Sequence, residues 1–204
     1  SQLGFKVTRS QKVELSPEAE KSQARLSTFL LNKPVGYVSG QPEPDKDYPP
    51  AVRLIEQENF IGRGKIRTDE IKGLAPAGRL DIDSRGLLVL TQDGRVAKHL
   101  IDKDSPIEKE YMVYFEGTLT PDKIKRLEYG LSLDGKKLKP AKVKQINPHK
   151  LRMILTQGRK RQVRRMCELV DLKVTSLVRV RIGNIRLEDL EEGKFRRLKS
   201  GETF

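Results

Sequence analysis

The sequence predicts an α+β domain with a largely antiparallel sheet, on three observations. Strand-like runs recur at Leu87–Thr91, Lys109–Glu116 and Leu177–Ile182, the last alternating apolar with basic residues. The helical stretches between them are few and short. Helices do not alternate with strands in the regular order that a doubly wound parallel sheet requires.

In chain order, residues 1–25 read as a linker or remnant, and 26–204 as one domain. Phe5–Thr8 and Lys12–Leu15 suggest a short hairpin, and Ser16–Lys21 a capped helix start or solvated linker. Leu26–Asn32 is a strand ended by Lys33-Pro34-Val35-Gly36 and resumed at Tyr37–Ser39. The proline-rich, acidic stretch 40–50 is a loop, and Ala51–Glu56 a short helix entered at proline. Residues 57–73 are polar and glycine-bearing, so a mobile excursion is expected. Asp93-Gly94 turns into a helix at Arg95–Ile101, and Thr120-Pro121-Asp122 opens another reaching about Tyr129. Short strands flank Asp134-Gly135, and Leu151–Leu155 is a further strand. Arg159–Val170 is a helix with Val163, Met166, Cys167 and Val170 on one stripe. After Leu177–Ile182, Gly183-Asn184 turns into Ile185–Leu187, and Phe195–Leu198 closes the chain.

Bulk properties exclude several classes. In a chain of 204 residues, 36% are hydrophobic and 34% charged, and no apolar run approaches the ~20 residues of a membrane helix. The N-terminus carries no signal-like pattern. A single cysteine, Cys167, excludes an internal disulfide framework and fits a reducing, cytoplasmic setting. His99 and His149 stand far apart, so neither zinc spacing nor a Ser-His-Asp or Cys-His set is present. The net charge of +13 is unevenly placed: residues 1–135 hold 21 basic and 21 acidic side chains, residues 136–204 hold 20 and 7. A basic surface attracts polyanions, and no apolar amphipathic helix favours a membrane, so RNA or DNA is the expected partner.

Three stretches carry chemistry. Gly78-Arg79-Leu80-Asp81-Ile82-Asp83-Ser84-Arg85-Gly86 presents an acid between arginines ahead of a strand. A calcium loop fails there, because its fifth position is Arg85 and its twelfth Gln92 rather than a bidentate Glu. Tyr111 sits within Lys109–Glu116. Gly158-Arg159-Lys160-Arg161-Gln162-Val163-Arg164-Arg165 puts five cations at a helix start, which is already positive, so a bound anion or a partner acid is expected there.

Together these resemble the pseudouridine synthases, in the branch of ribosomal small-subunit synthase A and large-subunit synthases B, E and F, nearest the E/F type. Asn32-Lys33-Pro34-x-Gly36, Gly78-Arg79-Leu80-Asp81, Ser84-x-Gly86-Leu87-Leu88, Gln162-Val163-Arg164 and Arg179-x-Arg181-Ile182-Gly183 carry the resemblance, over roughly residues 27–198. It implies a sheet in two halves with flanking helices and a central cleft. It implies isomerisation of a uridine to pseudouridine in structured RNA, ribosomal and preferably large-subunit, with no cofactor and no metal. Asp81 matches the essential aspartate, Arg164 the basic residue paired with it, and Tyr111 the tyrosine against the uracil. Arg79 matches the arginine supporting the extruded nucleotide. Lys33, Arg159, Lys160, Arg161, Gln162 and Arg165 complete the expected RNA-binding set. Asp83 is expected to bond the loop backbone, and Cys167 to pack.

The branch begins with an S4-type RNA-binding domain, which the first 25 residues imply is missing or truncated. Residues 57–73 are long for the branch, and Arg63, Lys65 and Arg67 are expected to contact RNA. A monomer is expected. The rival reading is a non-catalytic RNA-binding protein on the same scaffold, for which an acid in a basic groove has no use. Asp81 and Arg164 should lie within salt-bridge reach.

Overall fold

The computed structural model describes residues 17, 26–42 and 47–204. The hairpin and helix start expected before residue 26, and the 1–25 boundary, lie outside the described residues.

Among the described residues, one nine-stranded sheet organises the chain. Its path runs β11 (Phe195–Arg197), β1 (Thr28–Lys33), β3 (Arg85–Thr91), β9 (Lys173–Ile182), β4 (Lys109–Glu116), β8 (Lys150–Leu155), β7 (Lys142–Asn147). Two-residue strands β2 (Ala75–Pro76) and β10 (Ile185–Arg186) join β3 and β9, and β5 (Ser132–Leu133) pairs with β6 (Lys136–Lys137) as a separate hairpin. Every pairing is antiparallel except β3–β9, which is parallel and only two residues long, Arg85↔Val178 and Gly86↔Arg179. That short seam is where the two halves meet.

The central strands bury both faces, which is why β3 reads as a continuous apolar run rather than an alternation. Leu88 and Leu90 enter the larger core with Phe29, Leu31, Val113, Phe115 and Met153, while Leu87 and Val89 enter a smaller one with Leu30 and Leu100. Four short helices are complete among the described residues: α1 (Thr68–Ile71), α2 (Gly94–Ile101), α3 (Pro121–Glu128) and α4 (Gln162–Glu168). Asp93 caps α2 by accepting from the Arg95 amide at 2.9 Å, and Thr120 caps α3 from Lys123 at 3.3 Å with Pro121 in the first turn. The Val163, Met166, Cys167 and Val170 stripe packs into the larger core as expected, and burial pushes the Cys167 thiol up to about 12.

Three expectations are corrected. The helix expected from Arg159 begins at Gln162, because Arg161 takes a left-handed backbone (φ 53°) that cannot continue a helix backwards. The helix at 51–56 is a 3-10 turn, Ala51–Leu54. Residues 57–73 are tied down. Phe60 packs on Phe195 at 5.5 Å, the Ile61 amide donates to Phe195 O at 2.8 Å, and Arg197 pairs with Glu70 at 2.8 Å.

Candidate active site

A single row crosses the sheet at the seam. Lys33 on β1 stands opposite Gly86 on β3, Gly86 opposite Arg179 on β9, and Arg179 opposite Tyr111 on β4. Cross-strand partners present their side chains to the same face, here the face of the larger core, where Tyr111 shares a cluster with Leu80 and Met153. Glycine is required in the row. Gly86 has φ 110°, and a Cβ there would stand 2.6 Å from the Arg179 amide nitrogen and closer still to its carbonyl oxygen.

Over this row lies the loop 79–83, whose backbone carbonyls are all occupied. Arg179 Nη1 donates to Arg79 O at 3.1 Å, and Ser39 Oγ donates to Leu80 O at 2.7 Å while accepting from the Leu80 amide. The Ser84 amide donates to Asp81 O at 3.0 Å and the Gly36 amide to Ile82 O at 2.9 Å. Arg164 Nη2 donates to Asp83 O at 2.8 Å. Five consecutive carbonyls are thus met by donors from β9, the segment after β1, the loop's own end and α4. Such a backbone has few conformations left to it.

The two loop carboxylates differ sharply. Asp83 receives both Arg161 terminal nitrogens, at 3.0 and 2.9 Å, and lies 3.4 Å from Arg164 Nε. Burial alone would raise the Asp83 carboxyl, but the Arg161 hydrogen bonds and the charges of Arg164 and Arg161 hold it below its ordinary value. Asp81, half-buried two residues earlier, has no hydrogen-bond or ion-pair partner for its carboxylate among the described residues. The expected Asp81–Arg164 pair is therefore corrected to Asp83–Arg164, and the Asp83 carboxylate, expected to bond the loop backbone, bonds the Arg161 side chain. The reason is position. Asp83 lies beside Arg85, whose Nη2 donates to Ser176 on the first half of β9, and Arg164 Nη1 reaches Val174 O there at 3.4 Å. Asp81 lies back along the loop, where its charge acts on Lys33 and Arg161.

The cationic stretch before and within α4 is also largely engaged. Arg159 donates to Leu133 O at 2.9 Å and Lys136 O at 3.3 Å, and Arg165 makes a two-point pair with Asp134 at 3.0 and 2.6 Å. These bonds pin the β5–β6 hairpin against α4. Gln162 is buried and accepts from the Arg159 amide at 3.0 Å. The expected anion at this stretch is the protein's own Asp83 and Asp134, and Lys160 alone of its cations is exposed without a side-chain partner among the described residues.

Lys33, expected to touch RNA, is fully buried (0% exposed) and donates to Pro34 O and Tyr37 O, both at 2.8 Å. The basic face expected on β9 is likewise internal: Arg179 is buried, and Arg181 pairs with Glu110 and Glu108 at 3.0 Å. Arg79 is exposed, its side chain free of protein partners among the described residues. Tyr111 is 8% exposed and its hydroxyl has no protein hydrogen bond among the described residues, so it is not a core tyrosine with a satisfied hydroxyl. Sequence reasoning missed Ser39 as a loop anchor, the Arg161–Asp83 pair, and any role for Arg179 beyond its motif. Only Arg179 carried a signal, an arginine in an otherwise apolar strand centre.

Comparison with known proteins gives the family and the fold. A family model described as RNA pseudouridylate synthase matches residues 27–169. An uncharacterized RNA pseudouridine synthase of Aquifex aeolicus (strain VF5) is 34% identical over 203 residues, 99% of this chain and 80% of that protein. Ribosomal small subunit pseudouridine synthase A of Yersinia pestis is 33% identical over 201 residues, 97% of this chain and 80% of that protein. Dual-specificity RNA pseudouridine synthase RluF of Salmonella typhi is 35% identical over 177 residues, but this chain spans only 56% of its length. A crystal structure of a pseudouridylate synthase matches with a TM-score of 0.72 at 29% identity, covering 86% of this chain and 71% of that one. Most of the chain falls within the matched family and its fold is the family's fold, so the chain belongs to the RNA pseudouridylate synthases, isomerases that act on RNA.

Proposed function

We propose that this protein isomerises a specific uridine to pseudouridine in structured RNA, with large-subunit ribosomal RNA as the favoured target and transfer RNA as the alternative, and with Asp81 as its catalytic carboxylate. The observation that carries the reading is the contrast within the loop: every carbonyl from Arg79 to Asp83 is held, yet the Asp81 carboxylate has no partner of its own among the described residues. A rigid backbone that leaves one ionisable side chain unengaged suits a group that must meet a substrate.

Cleavage of the glycosidic bond leaves the sugar electron-deficient, and a carboxylate stabilises or traps that centre. Asp81 serves there, by attack on the sugar or by assisting proton removal. Tyr111 packs on the uracil, a contact of roughly 1–3 kcal/mol where bases stack on aromatic rings. Arg79, exposed at the loop's start, supports a nucleotide drawn out of its stack at a cost of a few kcal/mol. Arg164 acts through the loop, holding Asp83 and its carbonyl, and is a positioning residue. No organic cofactor or metal enters the scheme. The protein works as a monomer in the cytoplasm, and Lys160 with the exposed lysines of the β5–β6 hairpin meets RNA phosphates.

Mapping pseudouridine in RNA from cells with and without the protein identifies the target. In vitro, Asp81→Asn should lower turnover by at least about 10³-fold, an effect of ~4 kcal/mol on the barrier. RNA affinity should be retained. A mutant with full activity would refute the assignment.

A further inference from the structure

One side of the sheet changes character at the seam. Over β1 and β3 it is covered: Leu87 and Val89 meet Leu30 and Leu100 of α2 in the smaller core. Beyond the seam, over β9, β4, β8 and β7, no helix covers that side among the described residues. There α3 and α4 send Leu127, Val163 and Met166 into the larger core, on the opposite side with Tyr111. The uncovered side carries Met112 and Tyr114 of β4, Ile154 of β8 and Val178 of β9, all half-buried and belonging to neither core.

The cations of this side are set in rows. Arg181, Glu110, Ile154 and Lys142 stand opposite one another across four strands, and Val178, Met112, Arg152 and Lys144 form the next row. In the third, Tyr114 stands between Ser176 and Lys150, and the Lys150 ammonium lies 4.9 Å from the centre of the Tyr114 ring. Glu110 is 3% exposed and is shared by three guanidiniums: Arg181 at 3.0 Å, Arg152 at 3.4 Å and Arg186 at 3.5 Å. Glu108 takes Arg181 at 3.0 Å and Lys142 at 2.6 Å. Two carboxylates thus stand against four cations. Lys144 and Lys150 have no acid within ion-pair distance among the described residues. Arg152 and Arg186 are anchored on a buried acid, yet 40% and 62% of their side chains stay exposed.

Such a face holds positive charge in fixed places and in excess of its acids. Phosphates complete that balance and release counterions as they do so. The aromatic ring narrows the choice. In paired RNA the base faces are stacked on one another, so Tyr114 can stack only on an unpaired base. Aromatic rings among cations on an open sheet are a recurring platform for single strands.

We propose that the open side of β9, β4, β8 and β7 is a second RNA surface, which binds an unpaired stretch with a base on Tyr114 and phosphates on Lys144, Arg152 and Arg186. It lies across the sheet from Tyr111, so it holds a segment other than the uridine being isomerised. It adds affinity rather than chemistry, and it stands whether or not Asp81 is the catalytic group.

The probe is a single-stranded RNA of about twelve cytidines and adenines, which offers the active site no uridine. With iodocytidine incorporated, irradiation should cross-link it to Tyr114, located by mass spectrometry. By fluorescence anisotropy, Tyr114→Leu should weaken binding about tenfold with no change in the slope of log affinity against log salt. Lys144→Gln together with Arg152→Gln should flatten that slope by between one and two. Asp81→Asn should bind this RNA as the unsubstituted protein does. Should Tyr114→Leu not fold, the cross-link in the unsubstituted protein decides. Cross-links only at Tyr111 or Tyr37, on the side of the larger core, overturn the proposal. So does the absence of any cross-link, as a second copy of the chain covering this face would give. Poly-glutamate that displaces the RNA with the same sensitivity to the cation variants, while Tyr114→Leu changes nothing, would assign the face to an acidic polypeptide and also overturns it.

Discussion

The loop 79–83 and the stretch 159–165 touch through Asp83, yet they are held in opposite ways. In the loop the backbone carbonyls are engaged, and the side chains of Arg79 and Asp81 have no partner among the described residues. In the cationic stretch the side chains are engaged: Arg159 with the hairpin carbonyls, Arg161 and Arg164 with Asp83, and Arg165 with Asp134. One segment presents a chemical group and the other is a clamp that holds it in place. A run of positive charge in a sequence is thus a poor guide to where RNA sits, because arginines with planar forks are the residues most suited to internal pairing.

The largest break in this comparison should come from the floor beneath both segments. Gly86→Ala puts a methyl group into the Arg179 backbone at the two-residue seam and forces φ 110° on an L residue. We expect a loss of about 3 kcal/mol or more in unfolding free energy, read by denaturant titration. A variant as stable as the parent would mean that the seam is not a fixed point of the fold. Asp83→Asn should act more locally. It removes the charge that Arg161 and Arg164 share but leaves Arg164 on the Asp83 carbonyl. Expected losses are about 1–2 kcal/mol of stability and about tenfold in kcat, with KM little changed. A change in KM alone would place the Arg161–Asp83 pair at the RNA surface instead of under the loop.

The sequence shows the fold more fully than the site, and the reason is physical. Strand β4 was legible to the residue, and the caps Asp93 and Thr120 marked their helices, because apolar runs and capping residues act over short separations. The Gly78–Gly86 stretch and Tyr111 were legible as chemistry through their motifs. Partner choice was not. Asp81 and Asp83 are both near-neighbours of arginine in sequence, and only the left-handed turn at Arg161 and the lie of α4 decide which acid is taken. The surplus of 20 basic over 7 acidic residues in 136–204 misled for the same reason. Acids from the earlier part of the chain, Glu70, Asp83, Glu108, Glu110 and Asp134, neutralise much of it across separations that composition does not record.

Glu70 and Arg197 extend the clamp logic to a place remote from the loop, and so sharpen it. The hydrogen bonds from Arg197, working against burial and helped by the Arg67 amide and by the charges of Arg197 and Arg67, hold the Glu70 carboxyl near about 2, against an ordinary 4.5. The folded value is depressed, so the stabilisation is complete above about pH 4.5 and is lost as the pH falls towards 2. Its size should be on the order of 2 kcal/mol. Glu70→Gln should lose that amount at neutral pH and flatten the stability curve across the acid window, with turnover unaffected. An unchanged acid slope in the variant would show that the pair is only a surface contact.

The smallest effect concerns the segment before α1, where the comparison predicts which cations remain available to RNA. Arg67 is held by Asp69 at 2.9 Å, whereas Arg63 and Lys65 are exposed with no side-chain partners among the described residues. Each cation that meets a phosphate contributes roughly 0.7–0.9 to the slope of log affinity against log salt. Neutralising Arg63 and Lys65 together should therefore flatten that slope by between one and two without altering kcat, and adding Arg67→Gln should change it little further. If Arg67 carries as much of the slope as the other two, pairing inside the protein does not withdraw an exposed arginine from RNA, and the clamp reading holds only for the buried guanidiniums. An unmoved slope in all three variants would put this segment outside the RNA contact altogether, leaving phosphate binding to Lys160 and the hairpin lysines.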